Sequence, residues 1–237
     1  MDIQLTCGGR IEVFVRLVEP GSRWLACLAA ARAGRHAVDV FTHLDTGAMA
    51  VGGDSWPSNL VHRCRYAPPI RLVLIGGDPI TLAAALLAGH MGMEVVLWRH
   101  QGPADPPPQV PVTSYLAGSL QEGLDALKID EFTAVYCLTH DLDLDVLVLQ
   151  QALPSAAFCV GVLGSRSKRE ARIQALEARG VNRLSLTRLR SPAGLALGAK
   201  TSREIALSIL AEVVLLSRRH NINLVGEVAS EPILVAI

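Results

Sequence analysis

An excess of one charge is missing from this chain of 237 residues: 22 Lys and Arg stand against 22 Asp and Glu, for a formal net charge of +0. That balance removes the global electrostatic case for nucleic acid or an anionic membrane as a partner. Paired cysteines are missing too. The five thiols (Cys7, Cys27, Cys64, Cys137 and Cys159) are odd in number and scattered, with no CxxC or CxxH spacing. Neither a zinc site nor a disulfide framework is suggested, and a reducing cytoplasm fits. The N-terminus, MDIQLTCGGR, carries no apolar signal core. The most apolar stretch, IALSILAEVVLL over residues 205–216, is too short to span a bilayer and contains Glu212, so it reads as a buried helix. No G-x-S-x-G elbow and no P-loop lysine occurs. What is present is core: 50% of residues are hydrophobic and 19% charged, the balance of a folded chain forming one large or two small domains.

Residues 11–18, IEVFVRLV, alternate with Ile11, Val13, Val15 and Leu17 on one face, the pattern of a half-buried strand. An alanine-rich helix is expected over residues 22–33, stopped by Gly34, then a strand AVDVFTHL and a small-residue turn DTGAMAVGG. Residues 55–69 hold Pro57, Pro68 and Pro69, and a domain boundary is expected there, dividing 1–68 from 69–237. A strand-helix rhythm follows. RLVLIG, MEVVLW, a weaker strand near residues 112–115, FTAVYCLTH and AFCVGVLG alternate with helices near 79–91, 119–127, 143–153 and 167–180. A last helix over 202–220 starts from Thr201 with Glu204 three residues on, a capping box. Repeated alternation predicts an α/β fold, an open parallel Rossmann-like sheet with helices on both faces, preceded by a small α+β domain. Ligands then bind beyond the carboxyl ends of the strands, near the topological switch point.

Three strand tips are candidates. The first, GGDPIT, supplies Gly76 and Gly77 but departs from G-x-G-x-x-G: Asp78 stands where the second glycine belongs and Thr81 where the third does. Asp78 followed by Pro79 reads as an N-cap with proline at the first helical position. The acidic residue that should close the second strand for ribose hydroxyls is absent; that strand ends Trp98-Arg99-His100. The second tip, THDLDLD, is no calcium loop, because its sixth position is Val146 and its twelfth Ala152. Asp141 or Asp143 reads as an N-cap. His140, a polar side chain closing an apolar strand at the ligand edge, either touches a ligand or caps locally. The third tip is Gly164-Ser165 running into Arg166, Lys168 and Arg169. Basic residues at a helix start oppose the macrodipole by a few tenths of a kcal/mol each, so they point either to an anion, a phosphate or carboxylate, or simply into water.

Several long motifs, in order, resemble the XdhC/CoxI family, accessory proteins that mature xanthine dehydrogenase and related molybdenum hydroxylases. FTAVYCLTHDLDLDVLVLQQAL resembles the family's strand ending in Thr-His, which falls on Thr139 and His140. VGVLGSRSKREARIQALEARG resembles its Gly-Ser-Arg block, which falls on Gly164, Ser165 and Arg166. SPAGLALGAKTSREIALSILAEVV resembles its Pro-x-Gly-Leu block, on Pro192, Gly194 and Leu195. APPIRLVLIGG resembles the start of its Rossmann-like domain, and CGGRIEVFV the end of its smaller domain, placing the family's Cys-Gly-Gly on Cys7, Gly8 and Gly9.

The resemblance implies a factor without turnover of its own. It would bind the molybdenum cofactor, a molybdopterin with a terminal phosphate, during its sulfuration and insertion into an apo molybdenum hydroxylase of the xanthine dehydrogenase or CO dehydrogenase type. A cysteine desulfurase and a second copy of the chain are the further partners it suggests, and Cys7 becomes a candidate thiolate contact to molybdenum or sulfur. The family's G-A-G-H-V-G is GGDPIT here, which counts against a close embrace of ligand by that loop. Family members carry a longer segment ahead of Cys-Gly-Gly, so the small domain is expected to be incomplete. The competing expectations are an NAD(P)-dependent oxidoreductase on the same sheet and a scaffold that only pairs with a full-length relative.

Overall fold

The apolar runs become strands because each is short, rich in Val, Ile and Leu, and stopped by glycine or a capping residue. The computed structural model describes residues 15, 17–52, 61–220, 222 and 229–230, with the side chains of Leu120, Arg166, Ser167 and residues 229–230 left aside. The chain divides into two compact units, Met1–Tyr66 with Val228–Ile237, and Ala67–Glu227.

The first unit begins with helix α1 (Arg23–Gly34), which ends on Arg35 in the left-handed conformation at φ 52 and ψ 51. Strands β1 (Val38–His43), β2 (Met49–Val51) and β3 (Val61–Tyr66) follow, with β1 pairing antiparallel to both neighbours. Two of these strands replace an expected turn and an expected linker. DTGAMAVGG reverses tightly, the Gly47 N–H donating to the His43 carbonyl at 2.8 Å, and its second half runs back as β2. VHRCRY, read as part of a proline-bracketed boundary, is β3; as a half-exposed antiparallel strand it needs few apolar residues. The strand expected over residues 11–18 lies, apart from 15, 17 and 18, outside the described residues.

The second unit runs β4 (Arg71–Ile75), α2 (Pro79–His90), β5 (Glu94–Trp98), β6 (Ser114–Leu116), α3 (Leu120–Ala126), β7 (Thr133–Cys137), α4 (Leu142–Ala152), β8 (Cys159–Val162), α5 (Arg166–Ala178), the single turn α6 (Arg183–Leu186), β9 (Leu189–Arg190) and α7 (Ser202–Arg219). Its six strands are ordered β6-β5-β4-β7-β8-β9 and every pairing is parallel. The Rossmann-like α/β sheet expected from the strand-helix rhythm is therefore observed; α6 and β9 were not anticipated. Finally β10 (Ala229–Ser230) pairs antiparallel with β3, so the tail assigned by sequence to the second domain joins the first sheet.

Period-two alternation sorts the strand side chains onto two faces. Val73, Ile75, Val135, Cys137, Val160 and Val162 join one buried cluster with α4 and α5 residues such as Val148, Leu149 and Leu176. On the opposite face the Tyr136 hydroxyl donates to Glu212 of α7 at 2.9 Å, and α2 packs along α7. Burying each such Val or Leu stabilises the fold by roughly 1.5–3 kcal/mol.

Helix starts are capped as their sequences imply. Asp78 accepts the Thr81 N–H with Pro79 behind it, Asp141 accepts from Asp143 and Leu144, and both Ser119–Glu122 and Thr201–Glu204 form reciprocal capping boxes. After α4 the chain is gathered by Arg188, whose guanidinium donates to the carbonyls of Leu153, Ser155 and Ala157.

Candidate functional site

From β4 the chain steps outward through β5 and β6, and from β7 it steps the other way through β8 and β9. The switch point therefore lies between β4 and β7, where the two crossovers diverge and leave a crevice at the carboxyl ends. A cleft of about 340 Å³ opens there, and it is built from three tips: Gly76, Gly77 and Asp78 after β4, Arg99 to Gly102 after β5, and Leu138 to Asp141 after β7, floored by Leu144. Gly76, Gly77, Thr139 and His140 are thus brought together.

The β4 tip is closed to an anion. Gly76 adopts φ +146, and a Cβ there would stand 2.7 Å from Thr81 Oγ1 and 2.8 Å from the Leu138 carbonyl oxygen. Thr81, fully buried, fills the place of the third fingerprint glycine and donates both its N–H (2.8 Å) and its hydroxyl (2.6 Å) to Asp78 Oδ1. The helix N-terminus that would greet a pyrophosphate is already occupied by its own carboxylate.

The β5 tip is a tight turn. Gly102 N–H donates to the Arg99 carbonyl at 2.9 Å, and Gln101 between them has φ 56, uncommon for a residue with a side chain. A Cβ on Gly77 would stand 2.8 Å from Arg99 Nε, so the guanidinium lies over that glycine. Among the described residues no ion pair or hydrogen bond engages the Arg99 side chain. His100 Nδ1 is buried without a partner, the ring set edge-on to Trp98 at 6.4 Å between centroids.

At the β7 tip the His140 side chain is 80% exposed, its Nε2 3.9 Å from Asp78 Oδ2. Thr139 turns inward, its hydroxyl donating to Asp145 Oδ1 at 2.6 Å. Asp145 is 0% exposed and Arg172 3%. One guanidinium nitrogen of Arg172 donates to Asp145 Oδ2 at 2.8 Å and to the Leu163 carbonyl at 2.9 Å, while its Nε and the other terminal nitrogen have no partner. Burial raises the Asp145 carboxyl above its usual value, opposed by the hydrogen bonds from Thr139 and Arg172. The Cys137 thiol beside them is pushed well up by the same burial.

The other sequence candidates stand elsewhere. Gly164 has φ +143, and a Cβ there would lie 2.7 Å from the unpartnered Arg172 nitrogen, so this glycine seats the buried guanidinium. Ser165 occupies the N-cap of α5 without a capping bond from its side chain. Lys168 is exposed and Arg169 half-buried. Neither Gly164 nor Ser165 belongs to the cleft lining, because β8 lies one strand beyond the switch point. Gly194 follows Pro192 by two residues and faces α7. Its N–H donates to Glu212 at 3.0 Å, and a Cβ would meet Ser208 Oγ at 2.3 Å. Cys7, Gly8, Gly9 and the side chain of Arg166 lie outside the described residues. Among the described residues no three His, Cys, Asp or Glu side chains cluster to hold a metal.

The XdhC Rossmann domain description matches residues 72–213. The chain belongs to the XdhC family. It is 31% identical over 170 residues, 71% of its length, to the uncharacterized protein YqeB of Escherichia coli. It is 41% identical over 86 residues, 36% of its length, to the molybdenum cofactor insertion chaperone PaoD of the same organism. The chain spans 31% and 27% of those two relatives, about a third of their length or less. A solved structure described as a xanthine dehydrogenase from Bacillus halodurans superposes with TM-score 0.65 over 83% of this chain and 64% of that one at 21% identity, a likeness of fold.

Sequence reasoning named the glycines, Thr139 and His140 of the cleft but missed Arg99 and His100, which it took only as the absence of an acidic residue. It also missed Arg172, one arginine among several on a polar helix.

Proposed function

We propose that this chain takes part in molybdenum cofactor maturation, holding the cofactor in the switch-point cleft during its sulfuration and its insertion into a molybdenum hydroxylase of the xanthine dehydrogenase or CO dehydrogenase type. The observation that carries this reading is the 41% identity to a molybdenum cofactor insertion chaperone over 86 residues. The cleft supports it physically. An unpaired guanidinium at Arg99, an unpartnered His100 Nδ1 and the floor at Leu144 suit a ligand that is apolar and planar at one end and anionic at the other.

In this reading the cofactor brings the molybdenum chemistry and the protein binds, orients and shields it. Arg99, His100 and His140 would face the ligand, while Thr139 would hold the β7 tip through Asp145. Cys7 would offer a thiolate to the metal or its sulfur, and Ser165 with Arg166, Lys168 and Arg169 would form a second basic rim. The partners are an apo hydroxylase subunit, a cysteine desulfurase and a second copy of the chain, meeting in the cytoplasm. Among the described residues no helix is long and apolar enough to cross a membrane.

An NAD(P)-dependent oxidoreductase fits less well, since Asp78 and Thr81 close the loop that a pyrophosphate needs. Anaerobic titration of the full chain with molybdopterin, NAD and NADP is the test. Micromolar molybdopterin binding, weakened in His140→Ala, is the expected result. Nucleotide binding without molybdopterin binding would refute the proposal.

A further inference from the structure

We propose that the β5 tip is a phosphomonoester site, in which Arg99 selects a phosphate-bearing ligand over the same ligand lacking its phosphate. The inference deepens the reading of the cleft as a cofactor site and rests on it. In this fold the residue closing the second strand reads the ligand: an acidic side chain accepts from vicinal ribose hydroxyls, whereas an arginine accommodates a phosphate. The chain carries Arg99 at that place, beside Gly76, Gly77 and Asp78 in the cleft wall.

Three further observations converge on an anion there. The usual anion seat at the start of α2 is shut, because Asp78 accepts from both groups of Thr81. The carboxylates lining the cleft are Asp78 and Asp141, each engaged as a helix cap, and among the described residues neither forms an ion pair with Arg99. Arg99 lines the cleft, and among the described residues no ion pair or hydrogen bond engages its side chain, so the guanidinium is available to an anionic ligand.

Beside it, His100 Nδ1 is buried and, among the described residues, without a hydrogen-bond partner. The turn that presents the two residues is maintained against the cost of a left-handed Gln101, a type of strain that collects at ligand sites. A guanidinium fork offers two parallel donors to two phosphate oxygens, and the neutral His100 imidazole in its Nδ1–H tautomer would offer a third. The terminal phosphate of molybdopterin and the 2′-phosphate of NADP share this chemistry.

The experiment is anaerobic equilibrium titration of the full chain with two ligand pairs: molybdopterin with and without its phosphate (removed by alkaline phosphatase), and NADP with NAD. The wild type is expected to prefer the phosphorylated member of the molybdopterin pair by about tenfold or more, the weight of one charge-assisted contact. Arg99→Ala should bring the two members within about twofold, with its thermal midpoint monitored by circular dichroism. Gly77→Ala supplies the independent variant: it keeps the charge but places a methyl 2.8 Å from Arg99 Nε, so the guanidinium must shift, and it should lose the same preference.

A preference confined to the NADP pair, and lost in both variants, would keep the phosphomonoester site and remove the molybdopterin reading. Molybdopterin bound equally with and without phosphate would overturn the site and leave the proposed function standing. Preference retained in Arg99→Ala, or no binding of either pair up to millimolar concentration, would overturn it as well.

Discussion

Arg172→Met removes one partner of an ion pair that is sealed from water. Asp145 and Arg172 are 0% and 3% exposed and 2.8 Å apart, and the same guanidinium nitrogen holds the Leu163 carbonyl at 2.9 Å. Methionine keeps much of the stem's volume, so the loss is electrostatic: Asp145 retains only the Thr139 hydroxyl, and Leu163 loses its donor. Breaking a buried pair from one side costs about 3–5 kcal/mol. For a chain of this size each kcal/mol lowers the melting temperature by about 2–4 °C, so a fall of roughly 6–20 °C is expected. The double variant Asp145→Leu, Arg172→Met takes both charges out of the interior. It leaves the Leu163 carbonyl without its donor, at about 1–3 kcal/mol at most, while the Thr139 hydroxyl keeps the Asp141 carbonyl as acceptor at 3.1 Å. The double variant should therefore be more stable than Arg172→Met alone, although it removes more native interactions. Urea unfolding followed by far-ultraviolet circular dichroism measures both. A single variant that costs under about 1 kcal/mol, or a double variant less stable than Arg172→Met, would refute the argument that an uncompensated charge dominates.

Gly123→Ala places a Cβ 2.1 Å from the fully buried Trp98 ring, and should cost at least about 1–3 kcal/mol by overpacking, with a change in tryptophan fluorescence that the remote Gly180→Ala does not produce. The Cys159 thiol, pushed up to about 12 by burial, and the still better buried Cys137 should resist iodoacetamide at pH 8.5 in the native chain and label after unfolding, as mass spectrometry would read. Thr201→Ala should cost about 0.5–2 kcal/mol, because the Glu204 N–H loses its acceptor at the start of α7. Glu204 accepts from the Lys200 and Thr201 N–H groups at 2.8 and 2.9 Å, which lowers its carboxyl below the usual value. Its contribution is therefore complete above the unfolded-state pKa and disappears as pH falls through the lower folded value. Glu204→Gln should flatten that segment of the stability-against-pH curve, and an unchanged curve would exclude the cap as its origin.

Much of the second unit was legible because its central strands are almost fully buried. RLVLI, TAVYC and CVGV are continuous apolar runs, and buried parallel strands have no polar face to obscure them. The caps Asp78, Asp141 and Thr201 were legible for a local reason: a side chain three residues or fewer from its N–H partner leaves its signature in the sequence. β3 was not, because VHRCRY is half-exposed and its ladder partners are supplied by β1, more than a dozen residues earlier. The site divides the same way. Glycines at strand tips announce themselves by type, but the significance of Arg99 is the lack of a partner, a property of the folded neighbourhood and not of the residue. Arg172 meets Asp145 across 27 residues, and nothing in KREARIQ distinguishes it from the solvent-facing cations beside it.

β10 pairs with β3 only after the entire Rossmann-like unit has intervened, roughly 160 residues of chain. At ribosomal speeds of about 5–20 residues per second, the rim of the small sheet stays uncovered for on the order of ten to thirty seconds while the larger unit is being made. During that interval β3 offers free N–H and C=O groups to any extended segment nearby. The exposed Arg65 along it, a charge on an open rim, is the sort of residue that discourages such premature annealing. Translation order thus gives the small unit a waiting period that its larger neighbour, whose strands all come from one continuous stretch, never experiences.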